Sequence, residues 1–344
     1  MIVAEPLATV AEFEAPGHRP RVQTLRELSA TPYEAPEGLW GPWIVPGEMT
    51  STAGRGGKGK TTLTRCVLCH GAKGGSYLGL NFARPVISLY LSGEGSAAFF
   101  RAQIESVADA LALDDAARER IYIADGGGDC GLKLSRPDHV DTLRGECDAL
   151  VTGPGLDLLV LDPFFRFMLG DENASVDMGR AVEAILELQR EFGFASWVPH
   201  HASQAGRGLD AFRGHTSFEG AIATGLVLTS EDADRRKLDP VKVRYAQEPA
   251  DTTPRFLRFE HEGRVYVEDA GALTTRERLV RELADGEWHK VAELAEALEV
   301  TRQTLTESHI DPMVEVGKFQ TEKREHGARY VRQPREGEAL WSDA

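Results

Sequence analysis

From residue 47 onward, short apolar runs alternate with longer stretches in which apolar residues recur at helical spacing. Apolar runs of this length fit buried strands and the periodic stretches fit helices, so their order predicts an α/β domain on a twisted, mainly parallel sheet. The predicted strands are 47–53, 86–92, 121–124, 156–161 and 194–198. One predicted helix begins at residue 61, and two others cover about 97–112 and 176–192.

Four later runs alternate apolar and polar residues, which is the pattern of antiparallel strands near a sheet edge. They are 223–228, 241–245, 255–259 and 264–267. Beyond them the β pattern stops, and helical stretches follow at 275–283, 291–298 and about 301–314. Two short runs then flank a turn at 325–327. Three helices and a hairpin in this order predict a small winged helix-turn-helix.

These patterns divide the chain into four segments. Residues 1–40 form an arm with clustered prolines and one short helix at 22–28; the arm is either loosely ordered or docked on a neighbouring subunit. Residues 41–270 form the α/β domain, 275–334 the winged-helix-like domain and 335–344 a tail.

Charge and hydropathy narrow the classes of protein. A net charge of −15 over 344 residues argues against a broad basic surface, so contact with nucleic acid would be confined to a loop or channel. No apolar run approaches bilayer length, and the N-terminus lacks the basic start and apolar core of a signal peptide. We therefore expect a cytoplasmic protein without membrane association.

Cys66 to His70 match the C-x-x-C-H pattern of haem attachment. The pattern falls inside the helix predicted from residue 61, in a chain without an export signal. Packing of free thiols in the apolar face of that helix is the favoured interpretation.

A phosphate-loop motif follows the first predicted strand and opens the first helix. The pattern G-x-x-x-x-G-K-[ST] allows backbone N–H groups to surround a polyphosphate, while Lys60 reaches the β- and γ-phosphates and the Thr61 hydroxyl binds Mg²⁺. The sequence therefore predicts ATP and Mg²⁺ as ligands. The predicted nucleotide-binding residues are Gly54, Arg55, Gly56, Gly57, Lys58, Gly59, Lys60, Thr61 and Thr62.

Polar residues end three other predicted strands. Asp162 follows a buried apolar run, the usual place of the second acidic residue that positions Mg²⁺; the alternative is a strand-ending turn residue before Pro163. Glu94 could direct a carboxylate at the water that attacks the γ-phosphate, although ordinary strands also end in Glu. His200 and His201 point to opposite faces of a strand, so we expect only one of them to line the site.

Together these motifs resemble the RepA-like branch of RecA/DnaB-type ATPases, the hexameric replicative helicases of plasmids and phages. The resemblance covers about residues 40–270 and also rests on the stretches 171–180 and 200–203. It implies a RecA-like P-loop NTPase core in which Glu94 is the catalytic carboxylate. His201 would stand where related helicases place a Gln that links the γ-phosphate to the DNA-binding loops.

Such ATPases complete each site with a basic residue from the next subunit. Lys242 and Arg244 resemble the Lys-x-Arg pair of DnaB-like helicases. The segment that begins at Arg213 resembles the Arg-Gly-Ser-Ser segment of the RepA-like branch, altered here at His215 and Thr216. Both candidates stay open, beside the interpretation that each is an ordinary exposed cation.

The resemblance implies a homo-hexamer or other ring with single-stranded DNA in its central channel. Arg166, Arg207 and Arg213 lie in the loops after the Asp162 and His201 strands and would contact that DNA. A replication initiator or a primase is a further candidate partner.

Three functional hypotheses follow. The first is an ATP-dependent, ring-forming DNA helicase or translocase of plasmid or phage replication. The second is a RecA-like DNA-binding ATPase that acts as an accessory or regulator without unwinding. The third is a winged-helix regulator whose nucleotide site is only a switch.

Overall fold

The computed structural model describes residues 23–30, 36–95, 97–124, 131–169, 175–202, 208–212, 216–230, 235–260, 266–269, 275–324 and 327–334. The chain forms two compact units, Met1–Pro36 and Glu37–Ala344. In the first, helix α1 covers Leu25–Ser29. Thr24 caps it, because its hydroxyl accepts from the Glu27 N–H (3.3 Å) while the Glu27 carboxylate accepts from the Thr24 N–H (2.7 Å).

Most of the second unit is built on one nine-stranded sheet. Its strands are β1 Met49–Gly54, β4 Ser88–Ser92, β5 Ile121–Ala124, β6 Leu158–Asp162, β7 Ala195–His201, β8 Ile222–Ser230, β9 Arg235–Val243, β10 Arg255–Glu260 and β11 Tyr266–Asp269. Their order is β11-β10-β9-β8-β1-β7-β6-β4-β5. The strands from β8 to β5 in this order are mutually parallel, whereas β9, β10 and β11 add antiparallel pairs. A mainly parallel α/β sheet is confirmed.

The sheet separates two apolar cores. In β6, Leu158 and Val160 face one core and Leu159 and Leu161 face the other, as the two-residue period of a strand requires. A strand covered on both faces needs a continuous apolar run, and for this reason β6 could be predicted from the sequence.

Helices cover both faces of this sheet. Helix α2 is the next element after β1, across the loop 55–59. Its buried cysteines Cys66 and Cys69 lie in the first core, which confirms the packing interpretation of the C-x-x-C-H pattern. Burial raises the pKa of Cys66 to about 12. The helices of this part are α2 Lys60–Lys73, α3 Ala97–Ala110, α4 Asp115–Arg118, α5 Pro137–Thr152, α6 Ser175–Phe192 and α7 Thr216–Ala221, with 3₁₀ turns at Phe164–Phe167, Gly208–Phe212 and Pro249–Thr252.

One strand prediction was wrong in part. The run 223–228 predicts an antiparallel strand near an edge, and β8 does pair antiparallel with β9. However, β8 also pairs in parallel with β1, and its residues 222–228 are all buried. The small residues Ala223, Thr224 and Gly225 gave a false alternation of polarity. The short hairpin of β2 Gly75–Tyr77 and β3 Leu80–Phe82, together with α5, was not predicted.

A third apolar cluster lies within residues 279–331. Its elements are α8 Thr275–Glu282, β12 His289–Lys290, α9 Val291–Ala297, α10 Arg302–Thr304, a π-helical turn Leu305–Ile310, α11 Asp311–Glu315, β13 Gln320–Lys323 and β14 Arg329–Arg332. The strands form a separate sheet in the order β12-β14-β13. The predicted helix 301–314 is broken by the π turn before Pro312, whose missing N–H removes one i→i−4 bond.

No helix in the described part of the chain is both long and apolar enough to cross a bilayer.

Candidate nucleotide-binding site

The phosphate loop joins β1 to α2 at the carboxyl edge of the parallel sheet. Gly59 precedes α2 with φ 95°, and no side chain caps the helix. The first N–H groups of this 14-residue helix therefore have no side-chain acceptor at the cap, and they carry the positive end of the helix dipole. This arrangement suits a bound phosphate.

The loop glycines serve two purposes. A Cβ atom at Gly59 would lie 2.1 Å from Cε1 of Phe259, and one at Gly54 would lie 3.0 Å from the carbonyl oxygen of Leu228. At Gly56 and Gly57 a Cβ atom would meet nothing within 4 Å. Packing thus restricts the two ends of the loop, whereas Gly56 and Gly57 in its middle face open space.

Lys60 is held across this loop. Its Nζ donates to the carbonyl oxygens of Gly54 (2.7 Å) and Arg55 (3.1 Å), and the residue is only 7% exposed. Burial lowers the pKa of Lys60, and the negative charges of Asp162 and Glu94 oppose that shift. The ammonium is therefore held by carbonyl oxygens of the loop, and the negative charges of both acidic candidates act on it.

Asp162 is buried in the site, at 1% exposed. Its Oδ1 accepts from the Thr61 hydroxyl at 3.2 Å, and its Oδ2 accepts from the Tyr90 hydroxyl at 3.3 Å. Burial raises the pKa of Asp162 to about 6, against the charge of Arg65 and the hydrogen bonds from Thr61 and Tyr90. Asp162, which was predicted as the acidic residue at a strand end, thus contacts Thr61 in the structure.

Mg²⁺ fits this pair of residues. A carboxylate and a hydroxyl are hard oxygen ligands, and Mg²⁺ usually binds one or two such protein groups and completes its shell with phosphate and water oxygens. Within the described residues no cluster of three or more His, Cys, Asp or Glu offers an all-protein metal site. Thr61 and Asp162 are therefore the residues that would hold the ion.

Sequence reasoning missed Arg65, one helical turn after Thr61. It is 5% exposed, its guanidinium lies 5.3 Å from the ring centroid of Phe100, and it donates a hydrogen bond to Gln103 on α3. Its charge lowers the pKa of Asp162. The available signal was a charged residue next to the apolar residues that follow it in α2. Arginine is rarely buried without a partner, so its position predicts a partner nearby.

Glu94 lies just beyond β4, beside the Asp162 strand. Ser92 pairs with Asp162 in the sheet, and the Gly93 N–H donates to the Asp162 carbonyl oxygen at 3.0 Å. The Glu94 carboxylate forms an ion pair with Arg166, with 3.2 Å between Oε1 and Nε. The sequence analysis predicted a catalytic role for Glu94 and DNA contact for Arg166. It did not predict that the two side chains contact each other.

The two histidines lie in different surroundings, as expected for neighbours on a strand. His201 pairs with Gly54 in the β1–β7 register, and its ring centroid is 5.0 Å from that of Phe165. His200 is buried, with its ring centroid 5.0 Å from that of Phe218. His201 is therefore the one beside the phosphate loop.

Lys242 and Arg244 lie at the opposite end of the sheet from the loop. The Arg244 N–H donates to the Ala223 carbonyl oxygen, level with the start of β1, and Gly54 is four strand residues away, or about 13 Å. Arg244 pairs with Glu48 at 3.1 Å, and Lys242 Nζ donates to the Glu219 carbonyl oxygen at 2.7 Å. Neither cation lies at the phosphate loop of its own chain.

Two further predicted residues, Arg207 and Arg213, lie outside the described residues.

Fold and site together define a P-loop ATPase: a mainly parallel sheet, a glycine loop that opens a helix, and a buried Asp beside the loop Thr. A comparison with protein families agrees, since the AAA domain family matches residues 14–207. This match covers more than half of the chain, and the chain belongs to that family. No curated protein matches the sequence.

Proposed function

We propose that the protein is a ring-forming ATPase that moves along single-stranded DNA and unwinds duplex DNA in plasmid or phage replication. One observation carries the ATPase part of this proposal. The phosphate loop, Asp162, Glu94 and His201 all lie at the same edge of one sheet, on neighbouring strands. The DNA part rests on the resemblance to RepA-like helicases.

In the proposed reaction, the Glu94 carboxylate accepts a proton from a water molecule whose oxygen attacks the γ-phosphorus of ATP. The bond from that phosphorus to the β–γ bridging oxygen breaks, and ADP and phosphate leave. Lys60 stabilises negative charge on the β- and γ-phosphate oxygens. Thr61 and Asp162 would hold Mg²⁺, and the bound ion would supply further positive charge to the phosphate oxygens.

We also propose that residues 275–334 form a winged-helix domain. The helices, the short strand β12 and the hairpin β13–β14 follow each other in the order that this motif requires. The wing is basic, and the guanidinium carbon of Arg332 lies 4.9 Å from the Trp288 ring centroid. Its Arg329 is paired with Asp311 of α11 and is therefore less available to a DNA phosphate, which favours keeping docking on a protein as an alternative role.

The test combines ATP hydrolysis, unwinding of a forked DNA duplex and particle mass. We expect hydrolysis that single-stranded DNA stimulates, ATP-dependent unwinding, and a particle several times the mass of one chain. Lys60→Ala should lower the hydrolysis rate by about 100-fold or more, because it removes a charge that stabilises the transition state.

The outcomes separate the hypotheses. Stimulated hydrolysis without unwinding would favour the accessory ATPase. Hydrolysis at the wild-type rate in Lys60→Ala would remove the catalytic interpretation and leave the nucleotide-switch regulator.

A further inference from the structure

The ion pair between Glu94 and Arg166 joins the residue proposed to activate water to a residue proposed to contact DNA. The two side chains are 48% and 49% exposed, so both can exchange this partner for another. Oε1 of Glu94 accepts a hydrogen bond from the Arg166 guanidinium, so this oxygen is less available to accept a proton from water. The pair is therefore unfavourable for the proposed role of Glu94.

Hydrogen bonds hold the backbone on both sides of the pair. The Ser92 hydroxyl donates to the Glu94 carbonyl oxygen at 2.8 Å, and the Gly93 N–H donates to the Asp162 carbonyl oxygen. The Arg166 N–H donates to the Pro163 carbonyl oxygen at 3.2 Å. Because both side chains are half exposed, their movement alone is enough to break the pair while these backbone hydrogen bonds are kept.

Gly93 allows the close approach on which the pair depends. A Cβ atom at this position would lie 2.4 Å from Cβ of Arg166, a separation that real side chains do not adopt. Arg166 thus packs directly on the backbone that precedes Glu94, and its guanidinium lies beside the carboxylate.

The same arginine contacts the neighbouring strand end through an aromatic ring. Its guanidinium carbon is 5.1 Å from the Phe165 ring centroid, and Phe165 contacts His201. An anion that draws Arg166 away from Glu94 would therefore act where both proposed DNA-binding loops begin.

We propose that Arg166 is a positioning residue that restrains Glu94, and that a phosphate of the DNA backbone releases Glu94 by binding Arg166 in its place. This inference rests on the proposed function. DNA binding would then be coupled to ATP hydrolysis because Arg166 exchanges one ion-pair partner, Glu94, for another, a DNA phosphate. Because exposed ion pairs are weak, the restraint accounts for roughly a two- to fivefold change in rate.

The test measures kcat and KM for ATP with and without a poly-dT oligonucleotide. Arg166→Ala should raise the basal kcat roughly two- to fivefold, leave KM for ATP unchanged, and respond no further to poly-dT. Arg166→Lys keeps a cation that can pair with Glu94, so it should restore a low basal kcat. Loss of stimulation alone would follow from any lost DNA contact, so the basal kcat decides.

Two further variants isolate the contact. Gly93→Ala keeps both charges but displaces Arg166, and it should reproduce the raised basal kcat. Arg190→Ala is the matched control, because the Arg190–Glu183 pair on α6 is similarly exposed (57% and 55%) and has a similar N–O distance of 2.9 Å. It should leave kcat unchanged.

A basal kcat that is unchanged or lower in Arg166→Ala would overturn the inference. The proposed role of Glu94 is tested separately by Glu94→Gln, which should abolish hydrolysis. If Glu94→Gln still hydrolyses ATP, the proposed catalytic base is wrong. If Glu94→Gln is inactive and Arg166→Ala shows no rise, only the restraint is wrong.

Discussion

At the scale of single residues, Asp162 combines a functional position with a cost in stability. Its carboxylate is buried, and burial raises its pKa to about 6. Between about pH 4 and pH 6 the native protein holds a proton that the unfolded chain has lost. The free energy of unfolding therefore falls as the pH rises through this window, and above it the ionised Asp162 destabilises the protein without ligands.

Asp162→Asn should accordingly stabilise the protein without ATP and Mg²⁺. At pH 7.5 we expect the free energy of unfolding to rise by about 1–2 kcal/mol, because a buried charge is replaced by a neutral amide. The gain should shrink toward pH 4.5, where Asp162 in the wild type is already protonated. Urea unfolding at the two pH values measures this difference.

Asp157 provides the matched control for this substitution. It lies beside the start of β6 and accepts from Arg84 (2.6 Å) and from the Ile87 N–H (2.8 Å). Asp157→Asn should therefore lower the free energy of unfolding at pH 7.5. A stabilisation of Asp162→Asn that is equal at both pH values would contradict the buried-charge explanation.

The sequence located Asp162 and Glu94 because each follows an apolar strand, and the carboxyl ends of parallel strands meet at one edge. It could not show that Arg65 is buried or that Arg166 contacts Glu94. Those facts depend on how α3 and the turn after β6 pack, which local pattern does not determine.

At the scale of elements, the phosphate loop and strand β10 constrain each other. The Phe259 ring on β10 lies against Gly59, whose φ of 95° is itself unfavourable for a residue with a Cβ atom. Gly59→Ala should lower the free energy of unfolding by about 2–3 kcal/mol, of which the backbone conformation accounts for about 1–2 kcal/mol. It should also weaken ATP binding, because the loop must shift.

A double-mutant cycle separates the two contributions. Phe259→Leu removes the overlapping ring atoms but leaves the backbone conformation unchanged. Gly59→Ala should therefore cost less in the Phe259→Leu background than in the wild type, as measured by thermal unfolding. Equal costs in both backgrounds would show that the ring does not restrict this position.

Elements with a continuous apolar run or strong helical period were the ones predicted well. The strand β5 was predicted with its observed bounds, and β6 and α6 within a few residues. The prediction failed where pairing with distant strands decides the outcome. Nothing local in 223–228 shows that β8 lies between β1 and β9 and is buried on both faces.

At the scale of the whole molecule, the position of Arg244 bears on how the proposed ring would work. It lies level with the start of β1, at the far end of the sheet from its own phosphate loop. A catalytic role for Arg244 therefore requires a second copy of the chain, in which the loop of one subunit meets Arg244 of the next. Such a head-to-tail contact closes into a ring when the rotation between subunits is suitable.

Mixing two inactive variants tests this arrangement. Lys60→Ala lacks the loop lysine and Arg244→Ala lacks the cation, so each alone should be inactive. In an equimolar mixture that exchanges subunits at random, about one quarter of the interfaces combine an intact loop with an intact Arg244. We expect hydrolysis to recover to about that fraction of the wild-type rate, measured after subunits have exchanged without nucleotide.

Two controls define what the result means. Glu48→Gln removes the ion-pair partner of Arg244 but keeps the cation, so it should remain active if Arg244 acts on a neighbouring site. If Glu48→Gln is as inactive as Arg244→Ala, the arginine supports its own subunit. The same mixing experiment with Arg213→Ala tests the other candidate, and recovery there but not with Arg244→Ala would assign the trans role to Arg213.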